Sequence, residues 1–313
     1  MKKTILYLLA CSVVLSMLVL GSCGDDDDSL PKIDGYNNSD EVAAEYLKAH
    51  WTFDETYEED ISEAEPLAGA AGTFGTVGFE EGQIGQALKL NQGALRYPNI
   101  DAINTADGLA NFTVSMWVKV SNNKGTAKEG YTMLFGIMPD GLTPETAGDF
   151  MWGNINMAVE TSWFAASNPQ PDTLVLKGHF VKRNSDGSIN GQDNRPDPRG
   201  TPPKGLFKKS GEWVHFVTTY NSTTEQFHVY GNGTSIGAYT DRTLGAPGEM
   251  RMNVPASAVF GNGATKALGF TNGPDQQTWS PMATASIDDV RVFNTALSGT
   301  EVTALYNLGS AGR

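Results

Sequence analysis

Alternation with a period of two is the feature that most restricts what this chain can become. Across residues 112–119, Phe112, Val114, Met116 and Val118 alternate with Thr113, Ser115, Trp117 and Lys119, the pattern of a strand with one face turned to a core. Strand-like segments recur at 131–138, 173–181, 212–220, 226–230, 256–260 and 283–293. Residues 87–90 and 94–97 flank Asn91-Gln92-Gly93, which has hairpin chemistry, and Gly231-Asn232-Gly233 offers a second turn suited to positive φ. Charged residues make up only 19% and glycines number 35. Short strands joined by glycine-rich turns predict an all-β antiparallel sandwich or jelly roll.

Helix is expected in two places. Residues 42–48 place Val42, Tyr46 and Leu47 on one side, ahead of a strand at 49–53. Near the end, Ser298 and Glu301 form a capping box, Val302, Leu305 and Tyr306 form an apolar stripe, and Gly309 supplies the stop. Residues 184–204 are rich in Asn, Asp, Pro and Gly and read as a long projecting loop.

The first residues carry an address. Lys2 and Lys3 precede an uncharged run from Thr4 to Leu20, then Gly21-Ser22-Cys23. A basic start, an apolar stretch and small residues before a cut are the layout of a secretory signal over residues 1–22; a signal anchor is the alternative. Leu20-Gly21-Ser22-Cys23 resembles the bacterial lipobox, which implies lipidation at Cys23 and an outer-membrane anchor. Gly24 and four aspartates, Asp25 to Asp28, open an acidic tether over residues 23–40. This run resembles the surface-export signal of lipoproteins in the Bacteroides group, which implies a protein facing the cell exterior. The folded domain is expected over residues 41–313.

Charge excludes several partners. The formal net charge is −14, or −16 once Lys2 and Lys3 leave with the leader, and no basic stripe is present. That argues against nucleic acid and against polybasic docking on anionic lipid. Cys11 and Cys23 are the only cysteines, and Cys11 lies in the leader, so no disulfide is expected.

The order of motifs then becomes specific. Ala49-His50-Trp51-Thr52-Phe53-Asp54 is followed by Gly82, Gly85 and Ala87-Leu88, and later by the alternating 112–119 segment. Trp213-Val214-His215-Phe216-Val217 and Tyr230-Gly231-Asn232-Gly233 come next, and the series closes with Ser286-Ile287-Asp288-Asp289-Val290-Arg291-Val292-Phe293-Asn294. Over residues 47–308 this resembles the bacterial laminin-G-like family of the concanavalin A-like lectin/glucanase superfamily. The resemblance implies a two-sheet antiparallel jelly-roll sandwich in which the first and last strands pair. The stretch 139–211 is longer than a minimal family member. In similar domains calcium sits at a sheet edge, which implies a structural calcium at Asp54 and Asp288. Asp289 is the alternative, because alternation turns only one of two neighbours to a given side, and a surface pair between Asp289 and Arg291 competes with that role.

Catalytic patterns are weak. Glu58, Asp60 and Glu63 match the E-x-D-x-x-E spacing of jelly-roll glucanases but sit in a polar, acidic stretch that reads as an exposed loop. Gly233-Thr234-Ser235-Ile236-Gly237 matches a nucleophile elbow, yet strand rather than helix follows it. His50, His179, His215 and His228 all fall in strand patterns without zinc spacing. A non-catalytic role is therefore expected. Trp51, Trp117 and Trp213 read as scaffold, whereas Trp152, Trp163 and Trp279 lie in loop-like contexts and are candidates to stack on sugar rings, packing under a long loop being their alternative. The expectation is a lipid-anchored, surface-exposed carbohydrate-binding module that captures polysaccharide, with surface protein partners possible. The alternatives are an adhesion protein that binds polypeptide and a divergent glycoside hydrolase.

Overall fold

The alternating segments become strands of an antiparallel two-layer β-sandwich, closed by a C-terminal helix. The computed structural model describes residues 30–121, 130–143, 150–161, 173–183, 189–193, 206–207, 209–239 and 250–313. Cys23, the aspartate run, Trp163 and most of the 184–204 loop lie outside the described residues. In chain order the strands are β1 (Leu47–Trp51), β2 (Thr73–Glu81), β3 (Gln86–Arg96), β4 (Phe112–Lys119), β5 (Tyr131–Pro139), β6 (Ile155–Glu160), β7 (Leu174–Arg183), β8 (Ile189–Asp193), β9 (Leu206–Phe207), β10 (Trp213–Asn221), β11 (Gln226–Gly231), β12 (Thr234–Tyr239), β13 (Ala256–Phe260) and β14 (Ala283–Phe293), with helix α1 at Gly299–Ser310.

One continuous ladder runs β12-β11-β10-β4-β14-β3-β13-β5-β6-β7-β8, with β1 beside β14, β2 beside β3 and β9 beside β7. Strand β3 is the corner. Its Leu88 to Gly93 stretch pairs with β14, and Leu95 and Arg96 pair with β13. The ladder thereby curls on itself and the two inward faces meet. Phe180 of β7 lies 5.8 Å from Phe112 of β4 and 5.2 Å from Phe227 of β11. Trp51 of β1 sits fully buried among Tyr97, Phe135 and Phe260, at 5.6, 5.7 and 5.2 Å. The first and last long strands pair, His50 with Arg291 and Trp51 with Val290.

Helix α1 and residues 33–47 cover part of the outer face of the β10–β11 layer. Val302, Leu305 and Leu308 pack with Val42, Val217, Tyr230 and Phe293. The capping box forms as expected: the Ser298 side chain accepts from the Glu301 backbone N–H and the Glu301 carboxylate accepts from the Ser298 backbone N–H. Gly309 does not stop the helix. It lies inside α1, where a Cβ would collide with the Trp117 indole, and Gly312 at φ 69° takes the left-handed position instead.

Three other expectations change. Residues 42–48 do not form an α-helix: Ala43 has φ 50°, and two 3₁₀ turns, Ser39–Glu41 and Ala44–Tyr46, lead directly into β1. Asn91-Gln92-Gly93 does not reverse the chain. Gln92 has φ 46°, but the extra residue is absorbed as an irregularity against β2 and β14, so β3 runs unbroken. The compact unit begins at Ile33 rather than at residue 41, because Ile33 and Tyr36 pack against the helix cluster and Arg291 binds Ser39 and Asp40.

Trp51→Ala removes the ring on which both layers meet. It should lower stability by about 3–5 kcal/mol, read as a fall in the urea midpoint; a loss below about 1 kcal/mol would show that the two layers do not share one core.

Candidate functional site

The outer face of the β5–β6–β7 layer carries the arrangement with most chemical potential. Inward positions on these strands are apolar: Phe135, Ile137, Ile155, Met157, Val159, Leu174, Leu176 and Phe180 all join the core. The alternate positions therefore point outward, yet several are buried and polar. Asn156 is 0% exposed, Lys177 4% and His179 8%. Asn156 faces Gly136 on one neighbouring strand and His179 on the other. Its carboxamide oxygen and nitrogen are both buried without a hydrogen-bond partner among the described residues, and burying an amide in that state costs about 1–3 kcal/mol unless something else bonds it.

Three half-buried aromatic side chains gather beside these positions, with Trp152 against His179, the register partner of Asn156. Trp152 ends the short turn Phe150–Trp152, and Trp279 sits in a turn closed by pairing of Gln277 with Ser280. The Tyr131 N–H donates to the Trp279 carbonyl at 3.4 Å, tying that turn to the start of β5. Ring centroids are 5.6 Å apart for Trp152 and Trp279, 5.1 Å for Tyr131 and Trp152, and 5.9 Å for Tyr131 and Trp279. Trp152 also lies 5.7 Å from the His179 ring. Buried Met133, Met151 and Ala158 back the group. The structure thus brings together two of the three candidate tryptophans; the third, Trp163, lies outside the described residues. Tyr131 and Asn156 were not singled out from sequence, and His179 was read only as a sheet residue. One local signal was present: Asn154 and Asn156 interrupt the apolar run around β6 at alternate positions.

Asp54 and Asp288 also converge, on the turn between β2 and β3. Asp288 Oδ2 accepts from the backbone N–H of Gln83 at 2.7 Å and of Ile84 at 2.9 Å, and Asp54 Oδ1 accepts from the Gln86 N–H at 2.7 Å. Gly85, at φ 57°, is needed there because a Cβ would strike the Asp54 carboxylate. Asp288 is buried, and that burial raises its carboxyl to about 7 against the pull of the amide donors. Calcium requires roughly six to eight oxygen ligands. Here the nearest groups to the bonded oxygens are N–H donors, and among the described residues no cluster of three His, Cys, Asp or Glu side chains is placed to hold a metal. Asp288 Oδ1 is buried without a hydrogen-bond partner among the described residues, and through their other oxygens the two carboxylates clamp the turn.

Asp289 and Arg291 do pair, but in the interior rather than at the surface. A bulge between Asp288 and Arg291, with Asp289 at φ 46°, lets both aspartates be buried. Asp289 accepts from Arg291 Nε at 3.0 Å and contacts His50 Nε2 at 2.8 Å. Burial alone would raise its carboxyl, but Arg291 and His50 hold it well below the usual carboxylate range.

Hydrolytic arrangements fare worse. Glu58, Asp60 and Glu63 lie in a loop outside the strands. Their neighbour Glu59 is fully buried and accepts from the backbone N–H groups of His50, Ile61 and Ser62, a structural role that the reading of an exposed loop missed. The G-x-S-x-G segment runs along β12. A serine–histidine contact exists between Ser115 Oγ and His215 Nε2 at 2.8 Å, but both are buried at 2% and 1% exposure beneath Trp117 and Tyr306. Among the described residues His215 Nδ1 has no hydrogen-bond partner to orient it, so the contact there lacks both access and the third member of a triad.

Residues 151–303 match a laminin-G-like family model described as the concanavalin A-like lectin/glucanases superfamily. The match supports that domain family over this stretch, in agreement with the two-layer sandwich. Comparison with curated proteins finds no match. Among solved structures, the binding domain of Paraclostridial Mosquitocidal Protein 1 aligns at TM-score 0.50 and 16% identity, covering 84% of this chain and 51% of that one. Domain 4 of AbnA, an extracellular arabinanase from Geobacillus stearothermophilus solved with arabinotriose, aligns at 0.48 and 20%, covering 83% and 97%. The ligand-binding domain of Botulinum neurotoxin serotype D, solved with N-acetylneuraminic acid, aligns at 0.47 and 11%, covering 86% and 51%. This chain thus spans about half the length of the two toxin chains, and the likeness is one of fold.

Burial holds His215 at about 4, against an ordinary value of 6.5. Unfolding therefore takes up a proton between those values. The stability gained by keeping the ring neutral is full above that window and is lost as pH falls through it, by up to about 3 kcal/mol. Urea unfolding should show this loss between neutral pH and about pH 4.5, and His215→Gln should remove that part of the slope; an unchanged slope in the variant would contradict the assignment.

Proposed function

We propose that this chain is a non-catalytic glycan-binding module displayed at the cell surface on a lipid anchor at Cys23. The observation that carries the reading is the half-exposed Tyr131–Trp152–Trp279 group, in contact through Trp152 with His179, whose register partner Asn156 holds a buried carboxamide without a partner among the described residues. Pyranose rings present C–H faces that stack on indoles and hydroxyls that bond amides, so this juxtaposition suits a sugar better than an apolar ligand. The leader, the lipobox resemblance and the acidic run support the surface address. Glu58, Asp60 and Glu63, whose spacing resembles that of a glucanase strand, lie in a loop rather than on a sheet.

Trp152→Ala and Trp279→Ala should each weaken binding to whichever neutral oligosaccharide a glycan panel identifies by about tenfold or more, which is about 1.4 kcal/mol, measured by calorimetry. No new reducing ends should appear on prolonged incubation. Unaltered affinity in both variants, or turnover abolished by one carboxylate substitution, would defeat the proposal; retention of an outer-membrane protein with no glycan response would favour adhesion instead. Calcium is not required by this reading. Thermal midpoints in calcium and in chelator should coincide, whereas a rise of several degrees in calcium would restore a structural ion at Asp54 and Asp288.

A further inference from the structure

The outer face of the opposite layer is only partly covered by α1. Beyond the helix, strand register places five residues in one row across five adjacent strands: Gly78 of β2, Lys89 of β3, Ser286 of β14, Lys119 of β4 and Trp213 of β10. Strands are spaced about 4.8 Å apart, so the row extends about 19 Å. Its sequence neighbours Leu88, Leu90, Val118 and Val214 all enter the core, which turns Lys89, Lys119 and Trp213 outward. Nothing lies within 4 Å of where a Cβ on Gly78 would stand, so that end is open.

The charges along the row do not balance. Glu80 reaches in from β2 and meets Lys89 Nζ at 2.9 Å and Lys119 Nζ at 3.0 Å, while the Ser286 hydroxyl donates to it. Two ammonium groups thus share one carboxylate, leaving a local positive excess on a chain whose net charge is −14. Both lysines remain accessible, at 55% and 33% side-chain exposure. Lys119 Nζ lies 4.9 Å over the half-buried Trp213 ring. A cavity of about 210 Å³ opens here, lined by Lys89, Lys119, Ser121, Gly211, Thr284 and Ser286. Hydroxyls, two lysines and an indole in one row are the groups that a charged sugar engages.

We propose that this row is a second ligand site, which takes a carboxylate-bearing sugar residue of an acidic polysaccharide. The ligand carboxylate bridges Lys89 and Lys119 in competition with Glu80, its hydroxyls meet Ser121, Thr284 and Ser286, and the adjoining ring lies toward Trp213. The site shares no residue with the Trp152 group and stands or falls independently of it.

The test is calorimetric titration of the full chain with oligogalacturonate and with a neutral galactan of the same length, in low and high salt. Oligogalacturonate should bind more tightly and weaken as salt screens it. Lys89→Gln with Lys119→Gln should reduce its affinity about tenfold or more, whereas Glu80→Gln, which removes the competing carboxylate, should strengthen it several-fold. Trp152→Ala should leave it unchanged. Equal affinity for the neutral glycan, no response to the lysine substitutions, weaker binding in Glu80→Gln, or equally tight binding of polyglutamate would overturn the proposal. If the double variant does not fold, the single Lys89→Gln at the more exposed position carries the same reading.

Discussion

The closing strand β14 holds the rest of the molecule in register. Its first half pairs with β3, its second half with β1, and its other edge with β4. That dual role depends on the bulge at Asp288 and Asp289, because a regular strand would turn one of these two residues into the apolar core. The bulge sends Asp288 to clamp the β2–β3 turn and Asp289 to a buried network of His50, Arg291, Ser39 and Asp40. Buried charges are costly unless each is paired. Here the pairing also draws residues 37–41 onto the sandwich, so a polar network ties the start of the folded unit to its end.

With the core closed in this way, the two outer faces diverge. Strands β10, β4 and β14 receive α1, whose apolar stripe seals Val217 and Phe293 and buries the Ser115–His215 contact. The same helix therefore stabilises the sheet and shuts off the one serine–histidine pair that resembled a catalytic group. The β5–β6–β7 face has no such helix among the described residues. Its buried Asn156, Lys177 and His179 share that face with aromatic side chains supplied by two turns distant in sequence, Trp152 lying against His179.

Much of the fold was legible because burial of one sheet face imposes period two on each strand. Residues 112–119, 256–260 and 283–293 form strands at the expected bounds, and Ser298 caps α1 through a local signal. Legibility failed where a local signal had two structural outcomes. Asn91-Gln92-Gly93 suits a hairpin or a bulge equally, and pairing with β2 and β14, which is remote in sequence, selects the bulge. Gly309 resembled a stop, but its lack of a side chain serves close approach to Trp117. At the candidate site, loop context singled out Trp152 and Trp279, yet only the curled ladder places them side by side. Asp54 and Asp288 both reach the β2–β3 turn, and the amide donors they meet there come from the turn's backbone and leave no trace in side-chain chemistry.

The central claim is that the aromatic group of Tyr131, Trp152 and Trp279 receives a sugar ring. A crystal structure of the chain with its panel-selected neutral oligosaccharide tests it most directly. The account predicts a pyranose stacked on the Trp152 or Trp279 indole, with a polar substituent turned toward the Asn156 carboxamide. An oligosaccharide bound elsewhere, with Trp152, Trp279 and Tyr131 packed only on one another, would contradict it.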